Sequence, residues 1–304
     1  MLEKLQNILQ STQLILPEII FTGVFLVIIA GLTFSKRFAS EQYQTTLNWL
    51  IISILASIAF VFIAFSGFYK EYFESGSMLF GDLVYLDSEA IFFKFIITVA
   101  AIIVLLHISI VGYKIPSEFY PIFIGMILGL YFLTMTTNLL MMYISIEIIS
   151  ISSYILVAFN KAKTNAEAGI KYLLFGATSS AIMLYGISFL YGMTGTLNFA
   201  SQQFATNLFL NPTWVVYVTC FMTIGGLLFK LSAAPFHSWT PDVYEATPTP
   251  IVAFFSIAPK AAALLALIRF TGSLSIDYQT FITIVIVVSL TIGNFSAQIG
   301  RAHV

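Results

Sequence analysis

The chain contains very little cysteine and very little charge. Among its 304 residues there is one cysteine, Cys220, and only 9% of the residues are charged. A single cysteine excludes an internal disulfide, and it excludes a metal or iron–sulfur centre built from cysteines of this chain. A soluble globular domain carries about 25% charged residues. The low charge therefore excludes an ordinary soluble fold.

Other features that would indicate a function are also missing. The formal net charge is −1, so there is no excess of positive charge to bind nucleic acid. No glycine-rich nucleotide fingerprint and no polar domain is present, which disfavours soluble catalysis. The basic pair Lys36–Arg37 follows the first apolar stretch instead of preceding it, unlike the pattern of a cleaved signal peptide. We therefore expect residues 14–34 to form a retained first span.

Long apolar runs dominate what is present. Hydrophobic residues make up 59% of the chain, and its mean hydropathy is +0.95. A helix needs about 20 consecutive, mostly apolar residues to cross a bilayer. The pattern predicts an all-α, polytopic membrane protein with about nine transmembrane helices. The candidate spans are 14–34, 48–68, 90–111, 119–137, 138–159, 166–191, 212–234, 249–271 and 277–297.

The segments between the spans alternate in charge. The links at 35–47, 112–118 and 160–165 hold five basic residues. The opposite set of links holds only Lys70, and one of these links, at 69–89, is acidic. Short cytoplasmic loops carry an excess of lysine and arginine. The pattern predicts that the first set is cytoplasmic and that the N-terminus lies outside.

One apolar run is interrupted in its middle. The stretch 214–242 is almost entirely apolar or small, yet Lys230 and Pro235 lie inside it. Proline removes a backbone donor from the helical ladder, and irregular backbone at membrane depth is tolerated only where protein or water surrounds it. We predict a helix that runs to about Lys230, a break, and a short second half that begins near Pro235. Broken helices of this kind accompany ion or substrate sites in transporters.

Charged side chains inside the predicted spans are the main functional signal. A charge at the centre of a span costs about 2.5–3.5 kcal/mol on insertion scales, so such residues usually mark an ion path. Glu147 lies near the midpoint of the fifth span, where the alternative is a protonated carboxyl hydrogen-bonded to a neighbouring helix. Lys260 lies at the centre of the eighth span and Lys230 at the predicted break. Burial makes the protonation of a lysine adjustable, whereas arginine stays charged.

The remaining polar residues of the spans are more ambiguous. Lys171 is expected to lie roughly 10 Å in depth from Glu147, as a water-linked partner, unless it snorkels to the interface. Histidine is a residue type that exchanges protons near neutral pH, which makes His237 a candidate, but a capping or interface role explains it equally well. Lys94 is expected to be an interfacial anchor beside the acidic loop, and His107 is expected to be structural.

Two sequence runs resemble a known family. They are NAEAGIKYLLFGATSSAIMLYGISFLYGMTGTL at 165–197 and FKLSAAPFHSWTPDVYEATPTPIVAFFSIAPKAAAL at 229–264. They resemble the antiporter-like membrane subunits of proton-pumping NADH–quinone oxidoreductase, respiratory complex I. The resemblance covers most of the chain from about residue 120 onward, while the first hundred residues match only in hydropathy.

The resemblance implies a proton channel built from inverted repeats of five helices, with a broken seventh helix. Glu147 would be the charge partner on the fifth helix, with Lys171 modulating nearby. Lys230 would be the protonatable lysine at the break, and Lys260 would pass protons onward. His237 is a further candidate for proton translocation, from its residue type alone. The implied domains are three N-terminal helices at 1–118, the first repeat at 119–271, the start of a second repeat at 272–298 and a non-native tail at 299–304.

The family departs from this chain at its end. Family members continue through a second inverted repeat with another buried lysine. The final residues, IGRAHV, read in one frame as a common sequencing adapter. We therefore expect a truncated gene model, which resequencing of the locus would test.

The resemblance also sets expectations for cofactors, partners and location. The chain would hold no cofactor of its own, whereas NADH, FMN, iron–sulfur clusters and quinone would belong to other subunits. Its partners would be other membrane-arm subunits and the lipid bilayer, in the inner (cell) membrane of a bacterium. Two alternatives stay open: a subunit of a multi-subunit cation/proton antiporter, and a scaffold subunit that conducts nothing.

Overall fold

Apolar runs of the sequence become helices in this structure. The computed structural model describes residues 8–9, 11–34, 41–68, 76–113, 115–160, 163–274 and 278–301. The helices are α1 Leu16–Phe34, α2 Glu41–Phe68, α3 Ser88–Val111, α4 Phe119–Thr134, α5 Leu139–Val157, α6 Lys163–Thr194, α7 Gln202–Phe209, α8 Thr213–Leu231, α9 Thr240–Ala246, α10 Thr249–Gly272 and α11 Gln279–Arg301.

Eight of these helices are long and apolar enough to cross a membrane. The prediction of an all-α polytopic membrane protein is thereby confirmed. The predicted span at 119–137 is the exception, because α4 has 16 residues. A helix of that length is about 24 Å long, somewhat short of a hydrocarbon core of about 30 Å.

Several side chains behind the sequence predictions lie outside the described residues. Most of the charges used to predict the orientation are among them, as are the last residues of the tail predicted at 299–304. These residues are Lys36, Arg37, Lys70, Glu71, Glu74, Lys114, Lys161, Ala302, His303 and Val304.

A short β-hairpin precedes α3 and was not predicted. Strands β1 Ser77–Leu79 and β2 Val84–Leu86 pair antiparallel, with Met78 opposite Tyr85. The backbone N–H of Tyr85 also donates to the carbonyl of Met135 at 2.7 Å, just beyond the end of α4. Apolar alternation over three residues is too brief to distinguish a strand from a loop in the sequence. The hairpin covers one end of the helix bundle.

Small residues allow the long helices to approach closely. Helix α6 packs against both α5 and α8, and α4 packs against α5. A Cβ atom added to Gly186 of α6 would lie 2.6 Å from the backbone nitrogen of Thr223 in α8. Glycine and other small residues are enriched at such membrane interfaces because they let two backbones meet. The α6–α8 contact positions the end of α8, where Lys230 lies.

The predicted break after α8 is present, but its second half begins later than predicted. Helix α8 ends at Leu231, and the short helix α9 begins at Thr240 instead of near Pro235. Turns occupy the residues between them. Proline is tolerated in the first turn of a helix, and Pro241 takes that position in α9. Pro235 therefore lies in the linker.

Ser232 ends α8 in the left-handed backbone region, with φ +55°. The N–H of Ala233 donates to Leu228 O at 3.0 Å, and the N–H of Ser232 donates to Phe229 O at 3.1 Å. This is the hydrogen-bond pattern of a Schellman cap. The left-handed conformation costs a residue with a Cβ about 1–2 kcal/mol. The end of α8 is thus specified by local backbone geometry.

We expect Ser232→Val to destabilise the protein by about 1–2 kcal/mol, because a branched Cβ is poorly accommodated at positive φ. Ser232→Gly should be as stable as the original chain. The thermal unfolding midpoint of detergent-purified protein measures both. Ser238→Val, at an exposed position of the same linker, is the control. Equal midpoints for the two valine variants would contradict the prediction.

Candidate functional site

Lys230 is a buried cation in the last turn of α8. Its side chain is 3% exposed. Its ammonium donates to the Tyr172 hydroxyl at 3.4 Å, and none of the ion pairs in the described part of the chain involves it. An ammonium has three donors and no acceptor. Lys230 is therefore far less coordinated than a buried structural lysine requires.

Aromatic rings surround this ammonium. The ring centroids of Tyr172, Tyr154 and Phe229 lie 5.4, 5.7 and 5.9 Å from the Lys230 Nζ. Trp239 of the linker stacks on Tyr172, with the two centroids 4.3 Å apart. Rings at this distance attract a cation through their faces. They stabilise the ammonium without fixing its proton as a carboxylate would.

Glu147 is the carboxylate that acts on Lys230 at longer range. It lies in the middle of α5, is half-buried, and interacts electrostatically with the Lys230 ammonium. Within α5, Glu147, Ser150 and Tyr154 follow the i, i+3, i+7 spacing that puts side chains on one helix face. The spacing therefore directs Glu147 toward the same interior as the rings around Lys230.

Buried polar atoms without a protein partner concentrate around the break. Within the described ranges, none of these atoms has a hydrogen-bond partner: Glu147 Oε1, Ser232 Oγ, His237 Nδ1, Trp239 Nε1, Thr240 Oγ1 and Tyr244 Oη. Buried polar groups without partners are costly, and ordered water commonly bridges them. The break therefore has the chemical character of a hydrated interior.

Lys260 lies on the other side of this polar region. It is half-buried in α10, and its ammonium is 5.7 Å from the ring centroid of Tyr244 in α9. Helix α10 packs against α8. In the sequence, the short helix α9 thus lies between Lys230 and Lys260, and the ring of its Tyr244 lies beside Lys260. That Lys260 conducts protons stays a prediction.

Lys171 differs in its surroundings from the other predicted site residues. It is 45% exposed, and its ammonium pairs with Asp242 at 2.9 Å and with Glu167 at 3.1 Å. Its direct partners are therefore not Glu147 but two exposed carboxylates. The ion pair with Asp242 joins α6 to α9, the second half of the broken helix.

Lys94 is not the interfacial anchor that the sequence predicted. Its side chain is 1% exposed, and it forms an ion pair with Glu18 of α1, which is equally buried. The prediction was wrong because the neutralising carboxylate lies on a different span. Helix α3 places Lys94 about one and a half turns from its start, facing the bundle interior.

The sequence reasoning also missed the aromatic residues around Lys230. Tyr154, Tyr172 and Trp239 lie on three different elements, α5, α6 and the linker. Two local features of the sequence indicate these aromatic residues: Tyr154 falls on the helix face of Glu147, and Tyr172 adjoins Lys171. Aromatic residues are so frequent in this chain, 16% of all residues, that the signal did not stand out.

Known proteins are similar to this chain in both sequence and fold. A relative from Chloroherpeton thalassium named NADH-quinone oxidoreductase subunit N 2 is 35% identical over 305 aligned positions, covering 92% of this chain and 56% of the relative. The chain thus spans little more than half the length of this curated relative. A chain in respiratory complex I from Thermus thermophilus matches with a TM-score of 0.73 at 26% identity, covering 91% of this chain and 58% of that one.

A third likeness shows the fold alone. A chain of the Mrp complex from Dietzia sp. aligns with a TM-score of 0.63 at 18% identity, covering 83% of this chain and 48% of that one.

The family model described as NADH:quinone oxidoreductase/Mrp antiporter, TM, matches residues 136–300, more than half of the chain. The family resemblance predicted from the sequence is confirmed, and the chain belongs to the NADH:quinone oxidoreductase/Mrp antiporter transmembrane family.

Proposed function

We propose that this chain is a proton-conducting membrane-arm subunit of an NADH:quinone oxidoreductase, with Lys230 as its central protonatable group. The observation that carries the proposal is the state of Lys230: it is buried, it has no ion-pair partner in the described residues, and it lies at a helix break whose linker and following helix hold unpartnered buried polar atoms. Intramembrane ionisable residues in such settings mark ion paths. The names of the similar proteins support the choice of complex.

The Glu147 carboxylate controls the charge of Lys230 in this proposal. A nearby negative charge favours the ammonium, and its loss favours the neutral amine. Movement of charge elsewhere in the membrane arm that neutralises Glu147 would therefore release the proton from Lys230. Quinone reduction in other subunits would supply that movement, and this chain contributes no redox centre to it.

The released proton passes through the polar interior of the break. His237, Thr240 and Tyr244 offer donors or acceptors along the linker and α9, and Lys260 follows beyond them. Water bridging such groups transfers protons over distances that side chains alone do not span. Lys260 then accepts the proton while Lys230 reloads.

A surface cavity gives Lys230 a route for reloading. The cavity has a volume of about 610 Å³ and is lined by Glu118, Tyr154 and Gly169 among others. Tyr154 lines this cavity, and its ring centroid also lies 5.7 Å from the Lys230 ammonium. A swing of one phenol side chain would connect the outside with the buried lysine.

Glu147→Gln tests the proposal. Glutamine keeps the shape of the side chain but removes the charge that supports the Lys230 ammonium. A loss of about 1.4 kcal/mol in that support changes the protonation equilibrium tenfold. We expect proton pumping per NADH oxidised to fall several-fold in proteoliposomes containing the assembled complex, as measured with a pH-sensitive dye.

The control is Glu89→Gln, which neutralises an exposed carboxylate in the first turn of α3. It should pump as the original complex does. Unchanged pumping in Glu147→Gln, with both complexes fully assembled, would refute the role of Glu147. A scaffold that conducts nothing would give that same result.

A further inference from the structure

A second group of charges, two of them buried and two half-buried, lies apart from the break, at the hairpin end of the bundle. It comprises Glu18 in α1, Lys94 in α3, Asp87 at the N-terminus of α3, and Arg269 in the last turn of α10. Lys94 contacts Glu18, and Arg269 contacts Asp87 at 2.5 Å. The proposed proton route through Lys230 and Lys260 uses none of these residues.

The four charges act on each other as one cluster. Besides its ion pair with Glu18, Lys94 interacts electrostatically with both Asp87 and Arg269. The charges therefore alternate in sign, negative on Glu18, positive on Lys94, negative on Asp87 and positive on Arg269. Their formal sum is zero. Alternating neighbours keep a proton exchange at one member from leaving an isolated charge in hydrocarbon.

The Glu18–Lys94 pair is poorly solvated by the protein. The Lys94 ammonium has only one further contact within hydrogen-bond distance among the described residues, the thioether sulfur of Met135 at 3.0 Å, which is a weak acceptor. The ring centroid of Tyr131 lies 5.5 Å away, and its hydroxyl is engaged with Thr98. An ion pair that stays ionised needs further hydrogen bonds to offset its desolvation. Met135 and Tyr131 do not provide them for Glu18 and Lys94.

The second carboxylate oxygen of Glu18 is unoccupied by any donor. Its Oε2 is buried and has no hydrogen-bond partner among the residues that the structure describes. A proton can bind there without displacing an existing hydrogen bond. Loss of the negative charge also lowers the desolvation cost of a carboxyl group whose side chain is 1% exposed.

We propose that Glu18 and Lys94 form a second proton-exchanging site in this chain. The site takes up a proton when an O–H bond forms at Glu18, which weakens the ion pair and leaves the Lys94 ammonium facing Asp87. It releases the proton when that O–H bond breaks and the ion pair re-forms. The ligand is the proton alone, and no other reactant is required.

Position links this site to the proposed route. Arg269 lies nine residues beyond Lys260 on α10, about 14 Å farther along the same helix toward the hairpin end. Helix α10 packs directly against α3, which carries Lys94. A change of charge at Lys260 therefore acts on the cluster through one rigid helix and its packed neighbour.

Infrared difference spectroscopy across a pH step tests the proposal on the full chain in lipid bilayers. The original protein should show the carbonyl band of a carboxylic acid that appears on acidification. The band should be lost in Glu18→Gln and also in the double variant Glu18→Gln/Lys94→Gln, which leaves no unpaired buried charge and so protects against misfolding. Glu147→Gln should retain this band, which separates the test from the role proposed for Glu147.

A Glu18–Lys94 pair that stays ionised at every pH tested gives a different result. The spectra of the original protein and the double variant would then show the same carboxylic acid bands, which would overturn the proposal. In the assembled complex, the double variant should pump several-fold more slowly per NADH oxidised, whereas the exchanged pair Glu18→Lys/Lys94→Glu should restore pumping. Full pumping by an assembled double variant would also overturn it.

Discussion

A Lys230→Met chain is expected to assemble normally and to lose proton pumping. Methionine fills nearly the same volume as lysine and has no charge. Replacing a buried, poorly paired charge by an apolar side chain is neutral or stabilising in many proteins, so α8 should keep its contacts with α6. The proton carrier itself is gone, and the rings of Tyr154 and Tyr172 then face a thioether. We expect proton translocation per NADH oxidised to fall to the level that the original complex shows when a protonophore is added.

Lys163→Met provides the matched control. Like Lys230, Lys163 lies at one end of a long helix. Its side chain, however, is exposed at the N-terminus of α6. The control variant should pump as the original does. Pumping by the Lys230→Met complex at the control rate would remove Lys230 from the mechanism, while loss of assembly would show that its charge is structural.

The Gly186→Ala substitution should disrupt the packing of α6 against α8. The added methyl group would lie 2.6 Å from the backbone nitrogen of Thr223 and 2.9 Å from the Cβ of Met222. Because a backbone atom cannot rotate away, α6 and α8 must separate by roughly 1 Å to restore ordinary contact. Overpacking of this kind costs about 1–3 kcal/mol. We expect a lower thermal unfolding midpoint and a reduced yield of assembled complex.

Gly192→Ala is the control on the same helix. A Cβ at Gly192 meets no heavy atom within 4 Å, and alanine is the better helix former by about 1 kcal/mol. This variant should be as stable as the original protein or slightly more stable. An unfolding midpoint of Gly186→Ala equal to that of Gly192→Ala would contradict the close contact between α6 and α8.

The helices were largely predictable from hydropathy, because each span must satisfy its own backbone in lipid. The predicted span at 249–271 matches α10 Thr249–Gly272 closely. The hairpin at 77–86 was missed, since apolar alternation over strands of three residues is too brief to distinguish from a loop. The start of α9 was misplaced for another reason. Pro235 and Pro241 are both compatible with the first turn of a helix, and the local sequence does not show which of them begins α9.

Which charges are buried was only partly predictable. Glu147 and Lys230 stood out because they interrupt apolar runs near mid-span. Lys94 and Glu18 escaped notice because their neutralisation is a contact between spans 76 residues apart in sequence, which no periodicity reveals. Lys171 lies within a span like the others, yet its exposure follows from how α6 rotates against α5 and α8. Burial of a charge is thus a tertiary property, whereas its presence in a span is a sequence property.

The linker after α8 is anchored from outside the helices that surround Lys230. The N–H of Ala234 donates to the hydroxyl of Ser289 in α11 at 2.8 Å. Helix α11 otherwise contributes few residues to the interior, among them the buried Val285. A displacement of α11 would therefore act on the peptide two residues beyond Ser232 and, through the linker, on Trp239, which stacks on Tyr172 beside Lys230.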